Sequence, residues 1–243
     1  MQKRKTNTFP NRNHNLIKLQ PDFSQKRKKL NSEKLGILRG PLLKMETPFF
    51  LKKGDPQMIG VTRWIRQFFH QESTSVISPY LASRGQSFHK DVQLFFEKKH
   101  VTNLSREFYH FLRFVADHSH LETYFIEKTI DISFLKWRGI VDAVFVDETE
   151  QFWLYDWKRS KGPDDALIFP TEDLSTIQYS LINSYILQLN IYRIILEAEY
   201  DMNIQGLKIV FFHPSLESYK VMEVPRLSSS IERDLVDLRL TQL

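Results

Sequence analysis

The sequence predicts an α/β fold: a central mixed sheet, made of an antiparallel three-strand meander plus later strands, flanked by helices. Three observations carry this. Helix-period apolar segments come first, a block of alternating and β-branched segments follows, and helix and strand signals then interchange to the end of the 243 residues. One sheet packed by helices is the economical way to bury such a pattern.

Residues 1 to 45 show no sustained periodicity and are rich in Asn, Lys and Pro, so they read as a disordered basic arm, with residues 46 to 243 as the folded domain. In the folded part, "IGVTRWIRQFFHQE" (59 to 72) predicts a short helix with Thr62 as N-cap and Trp64, Ile65, Phe68 and Phe69 on its apolar side. "SRGQSFHKDVQLFFEKK" (83 to 99) predicts a second, because Phe88, Val92, Phe95 and Phe96 recur at helical spacing. "LSREFYHFLRFVADH" (104 to 118) predicts a third, capped by Ser105.

The pattern then changes. "ETYFIEKTIDI" (122 to 132) alternates as a strand does, and "RGIVDAVFV" (138 to 146) and "FWLYDWK" (152 to 158) are apolar and β-rich. The polar link Asp147-Glu148-Thr149-Glu150 reads as a hairpin turn. A polar loop with Gly162, Pro163 and Pro170 leads to a long helix predicted over 173 to 200. "LKIVFFH" (207 to 213) and "YKVMEVP" (219 to 225) read as strands, and 228 to 240 as a last helix.

Composition bounds the chemistry. Hydrophobic residues make up 42%, enough for a real core, and there is no cysteine, so disulfides and thiolate metal sites are excluded. Any metal is held by oxygen or imidazole. No apolar run approaches the ~20 residues that span a bilayer, so no membrane partner is expected. No charged-then-apolar start of secretory type is seen. The net charge of +5 is uneven: residues 1 to 40 hold eleven Lys/Arg, including Lys26, Arg27, Lys28 and Lys29, against Asp22 and Glu33. Such an arm suits a polyanion partner or a targeting signal; the alternative is a solvated tail. The compartment stays open. A mitochondrial presequence, a nuclear signal in a virus or its host, and a bacterial or phage cytoplasm all fit.

The chemistry concentrates on two strands. Asp142 lies among apolar neighbours in "GIVDAVF", where an ionised carboxylate is costly unless paired, hydrogen-bonded or bound to a cation. Asp156 sits similarly in the next strand, and pairing of the two strands brings both carboxylates together. A divalent cation relieves their repulsion, and Mg²⁺ prefers oxygen ligands. Lys158, two residues after Asp156, points to the same face. Two acids and a base on one face are the minimum for metal-assisted phosphodiester hydrolysis. The alternatives are a structural Asp142 bonded to backbone, a surface ion pair between Asp156 and Lys158, and a His89 of core or surface type.

An Asp, a hairpin and then Asp/Glu-x-Lys resembles the signature of PD-(D/E)XK nucleases. "YILQLNIYR", with Gln188 and Tyr192 spaced Q-x-x-x-Y, resembles the extra motif of the RecB-like branch, and "SRGQSFHKDV" resembles its R-G-x-x-F-H helix, with His89 as the histidine. "VTRWI" and "DWKRSKGP" are similar to the mitochondrial genome maintenance exonuclease group. The likeness runs from about residue 59 to 213. Two departures stand out: Arg159 where that group has Thr, and Val141 in place of the proline of the family's name.

The resemblance implies a restriction-endonuclease-like core and an Mg²⁺- or Mn²⁺-dependent DNA nuclease, an exonuclease on single strands or DNA ends, in DNA maintenance, repair or recombination. It implies Asp142, Asp156 and the Trp157 carbonyl as metal ligands, with His89 at or beside the metal. Lys158 is then the base or transition-state stabiliser, and Gln188 and Tyr192, one helical turn apart, place Lys158 or the DNA strand. Glu127 enters as an outer or second-metal group. Lys26, Arg27, Lys28, Lys29 and Arg84 are the expected nucleic-acid contacts. The competing hypotheses are a nuclease-like module that binds DNA without cutting it, and an endonuclease.

Overall fold

The computed structural model describes residues 58–69, 79–163 and 174–243. These fall within one compact unit, Gly54–Leu243. The expected boundary at residue 45, the basic run Lys26 to Lys29 and most of the expected polar loop lie outside the described residues.

Strand β1 (Ile59–Gly60) leads directly into helix α1 (Val61–Phe68), and helices α2 (Pro79–Phe96) and α3 (Arg106–Asp117) follow. The meander is β2 (Glu122–Ile132), β3 (Trp137–Val146) and β4 (Phe152–Lys158). After a 3-10 turn at Leu174–Thr176 come α4 (Leu181–Glu199), β5 (Ile204–Phe211), β6 (Lys220–Val224) and α5 (Ser229–Thr241). The six strands form one mixed sheet ordered β1-β3-β4-β5-β6, with β2 on the other edge of β3. The meander pairs antiparallel, while β4 and β5 are parallel, with α4 as their crossover. The expected α/β architecture of a mixed sheet flanked by helices is what the chain adopts.

Two apolar layers enclose the sheet. On one face Trp64 of α1, Ile186, Leu189 and Tyr192 of α4, and Ile231 and Leu235 of α5 pack on Trp137, Val144 and Leu154. On the other, Phe88 and Val92 of α2 and Phe108, Phe111 and Phe114 of α3 pack on Ala143, Phe145, Tyr155 and Trp157. Each fully buried side chain of this size contributes about 1.5–3 kcal/mol of transfer free energy.

Some boundaries differ from the sequence reading, each for a local reason. Helix α1 starts at Val61, not after Thr62. Gly60 is extended and pairs with Arg138, so the helix springs straight from a strand, and no side chain caps it. Helix α2 starts earlier than expected because its first turn carries exposed Tyr80 and Leu81, which give no apolar periodicity. Residues 173 to 200 are not one helix. Leu174 and Ile177 are buried and mimic helical spacing, but Ser180 is extended and its side chain accepts from Asn183 N–H, which starts α4 there. Ser105 caps α3 as expected, accepting from Phe108 N–H.

Candidate active site

Strand β3 positions the site. Along one edge it meets β1 at Trp137 and Arg138, and β4 only from Ala143 to Val146. Continued one step, the register sets Asp142 across from Asp156. There the ladder gives way, and the Asp142 carboxylate itself accepts the Trp157 N–H at 2.7 Å.

The pleat also slips at this point. Trp137 and Val141 face the α4 layer, as does Gly139, where a Cβ would stand 2.2 Å from Tyr192 Cε1. Beyond Asp142 it is Val144 that faces α4, while Ala143 and Phe145 face α2 and α3. The partner strand slips at the matching place. Ile126 pairs with Ala143 and Lys128 with Val141, so Glu127 stands opposite Asp142, and Glu127 has φ 48°. A non-glycine residue in the left-handed region is strained, and such strain gathers at functional sites. The slip turns both carboxylates out of the two cores and toward α2.

There His89 receives them. Its Nδ1 lies 3.2 Å from Glu127 Oε1 and 3.3 Å from Asp142 Oδ1. These three residues each offer one ligand atom, and those atoms all lie within 4.8 Å of one another. They sit on an open cleft of about 440 Å³ that Gln86, Lys90, Gln93 and Ile140 also line. Asp156 and Lys158 lie deeper, toward α4. Lys158 Nζ stands 2.5 Å from Asp156 Oδ2, 3.4 Å from Gln188 Oε1 and 4.4 Å from the centre of the Tyr185 ring. Gln188 Nε2 donates to Tyr192 Oη at 2.9 Å, so α4 presents a relay Tyr192–Gln188–Lys158. Asp156 Oδ2 has no hydrogen-bond partner of sound angle among the described residues, so its contact with Lys158 is an ion pair.

The electrostatics follow from burial. Asp142 is 7% and Asp156 2% exposed. Burial raises Asp142, but His89, Lys158 and the Trp157 N–H outweigh it and hold the carboxyl below its usual range. Burial pushes Asp156 up; Lys158 pulls down, and repulsion from Asp142 helps to keep the net shift upward. Burial disfavours the Lys158 ammonium, yet Asp156 and Asp142 more than restore it, and its pKa is raised. Burial likewise opposes a charged His89, but Asp142 and Glu127 lift the imidazole to about 10. Three carboxylates thus face only two cations, an imidazolium and an ammonium, which leaves one negative charge uncompensated.

Of the residues expected at the site, His89, Asp142, Asp156, Lys158, Gln188 and Tyr192 all converge here. Trp157 joins through its N–H, while its indole is buried among the aromatics of the α2/α3 layer. The structure adds one residue to this grouping: Glu127, whose carboxylate joins His89 and Asp142 in a set of possible ligand atoms. Its role depends on the pleat slip, for which the sequence gives no sign beyond an acid in an alternating strand. Arg84 lies away from this cleft, paired to Glu107 at 2.9 Å.

Hard oxygen donors with one imidazole suit a divalent cation, and the strained, mutually repelling carboxylates give the site a reason to take one. No protein-family model matches the chain, and no curated protein matches it. Among solved structures it is similar to SSO0001, at 14% identity over 79% of this chain and 78% of that one, with a TM-score of 0.39. It is also similar to an alkaline exonuclease from Laribacter hongkongensis, at 10% identity over 76% of this chain and 84% of that one, again with a TM-score of 0.39.

Proposed function

We propose that the chain is a divalent-metal-dependent nuclease that hydrolyses phosphodiester bonds in DNA. The observation that carries this reading is the row Glu127, Asp142 and Asp156 on three adjacent strands, with His89 on one side and Lys158 on the other. Mg²⁺ or Mn²⁺ would be held by Asp142 with Glu127 and with a His89 that gives up its proton on binding, and Asp156 and the Trp157 carbonyl are the further ligands drawn from the family resemblance. When bound, such an ion supplies Lewis-acid polarisation of a phosphoryl oxygen.

The remaining work falls to side chains of this chain. Lys158 is kept protonated by two carboxylates, so it acts first as a charge donor to the developing negative charge on the phosphate. Gln188, held by Tyr192, fixes where the ammonium points. Gly139 makes room for the Tyr192 ring that anchors this relay. Exonuclease action on single strands or DNA ends, in maintenance, repair or recombination, is the finer part of the proposal and is supported by the V-T-R and D-W-K motifs. Lys26, Arg27, Lys28 and Lys29 tether the nucleic acid in this reading.

The test is a time course on end-labelled single- and double-stranded DNA, with circular DNA alongside, in Mg²⁺ and in EDTA. Cleavage from the ends, sparing circles and abolished by EDTA, is the expected result. Lys158→Ala and Asp142→Ala should each lower the rate by at least about a hundredfold. Both variants cutting like wild type would end the proposal, and metal-independent DNA binding by a wild type that cuts nothing would replace it with a silent binding module.

A further inference from the structure

One buried ionic cluster takes no part in the site above. Glu107, in the first turn of α3, is 3% exposed. Its Oε1 accepts from Arg84 Nη2 and from Arg159 Nε, each at 2.9 Å, and Arg159 Nη2 is also 2.9 Å away. A buried carboxylate needs a partner, and one guanidinium satisfies it. Here there are two, so these three groups keep one net positive charge.

That surplus faces a cavity. Arg84 and Glu107 line a space of about 370 Å³ together with Ser87 and Ser105, whose hydroxyls can donate, and Asn103, whose amide nitrogen already donates to Asp91 at 2.7 Å. The Arg84 side chain is 40% exposed, whereas Arg159, at 13%, binds the same carboxylate oxygen from outside the cavity wall. The positive field extends along the chain: partial burial and the charges of Arg159 and Lys161 hold the His213 imidazole below its usual range. Arg159 directly follows Lys158, and it is one of the two residues at which this chain departs from the family pattern. Arg84 precedes His89 by five residues on α2, about 7.5 Å along the helix axis. One nucleic-acid strand can therefore span both places.

We propose that this cavity is a second phosphate-binding subsite for the strand cleaved at Asp142, with Arg84 contacting the phosphate and Glu107 and Arg159 as positioning residues. The proposal rests on the nuclease reading for its ligand. Glu107 fixes the Arg84 fork so that it meets a phosphate already oriented, which is where guanidinium outperforms ammonium.

The test is binding without cleavage: fluorescence anisotropy in EDTA over a salt series, with oligothymidylates bearing a 5′-phosphate, a 3′-phosphate or neither. Arg84→Gln should bind about tenfold more weakly, with a salt slope shallower by about 0.7. Arg84→Lys should restore the slope but only part of the affinity. Loss confined to one phosphorylated end assigns the subsite to a terminal phosphate; equal loss on all three assigns it to an internal phosphodiester. An unchanged slope would overturn the proposal whatever the affinity, since a merely structural clamp leaves the slope untouched. Should Arg84→Gln not fold, phenylglyoxal labelling of the wild type decides: the oligonucleotide must slow modification of Arg84, and equal rates with and without it overturn the proposal. Lys158→Ala and Asp142→Ala variants that both cut like wild type would remove the nuclease reading of this site and leave these binding results standing.

Discussion

Glu127 carries the sharpest consequence of the structure at the residue scale. Its φ of 48° lies in a region that a side chain with a Cβ occupies at a cost of about 1–3 kcal/mol. At an ordinary strand position glycine is less stable than alanine by about 0.5–1 kcal/mol. Here the order should invert: Glu127→Gly should be more stable than Glu127→Ala by about 1 kcal/mol, read from urea midpoints in metal-free buffer. Both variants lose the same carboxylate, so the difference isolates the backbone. Alanine at least as stable as glycine would show that position 127 carries no strain. Asp142, Asp156 and Lys158 were legible in the sequence because a charge inside an apolar strand has few explanations and period two fixes its face. Glu127 was legible only as a neighbour, since its place beside His89 comes from the slip in the pleat. Glu107 was not legible at all, because an acid in the first turn of a helix is an ordinary sequence feature.

The hairpin between β3 and β4 decides, at the scale of elements, whether Asp142 and Asp156 meet. Asp147 organises it: its Oδ1 accepts from Thr149 N–H, Thr149 Oγ1 and Gln151 N–H, and its Oδ2 from Trp153 Nε1. These bonds, the Thr149 hydroxyl and the Trp153 indole foremost, hold the Asp147 carboxyl down at about 2, against an ordinary 3.8. A carboxyl with a depressed folded pKa stabilises the fold above its unfolded pKa, and that stability fades as pH falls. Asp147→Asn should therefore melt at a lower temperature than wild type at neutral pH. The gap should narrow as pH falls from 3.8 toward about 2. A gap that stayed constant through that window would mean the charge is irrelevant and shape alone forms the turn. The strands of the meander were readable because alternation and a polar link define them without tertiary help. The start of α2, the two-residue β1 and the break before α4 were not readable. The first has exposed apolar residues, the second is too short to alternate, and the third hides a cap inside a helical period.

At the scale of the whole molecule, the candidate metal group joins a helix to two paired strands on which it otherwise packs. His89 belongs to the layer on one face, Glu127 to β2 and Asp142 to β3, the strand that β1, β2 and β4 all pair with. An ion held by all three ties a helix to the centre of the sheet, so global unfolding must release it. Binding to the folded state alone stabilises by about 2.7 kcal/mol at a hundredfold excess over Kd. For a domain of this size that is a rise in Tm of about 5–10 °C. Mn²⁺ should produce this rise in the wild type, and Asp142→Ala should abolish it, because Asp142 touches both His89 and the Trp157 backbone. Glu127→Gln separates two arrangements of the ion. If the ion sits among His89, Glu127 and Asp142, this variant loses most of the rise. If the ion sits between Asp142 and Asp156, the variant keeps it, and Asp156→Asn loses it instead. The first outcome is expected: an ion among His89, Glu127 and Asp142 has only to drive off the imidazole proton, after which His89 is itself a ligand, whereas an ion beside Asp156 must displace the whole Lys158 ammonium, 2.5 Å away, which cannot bind it.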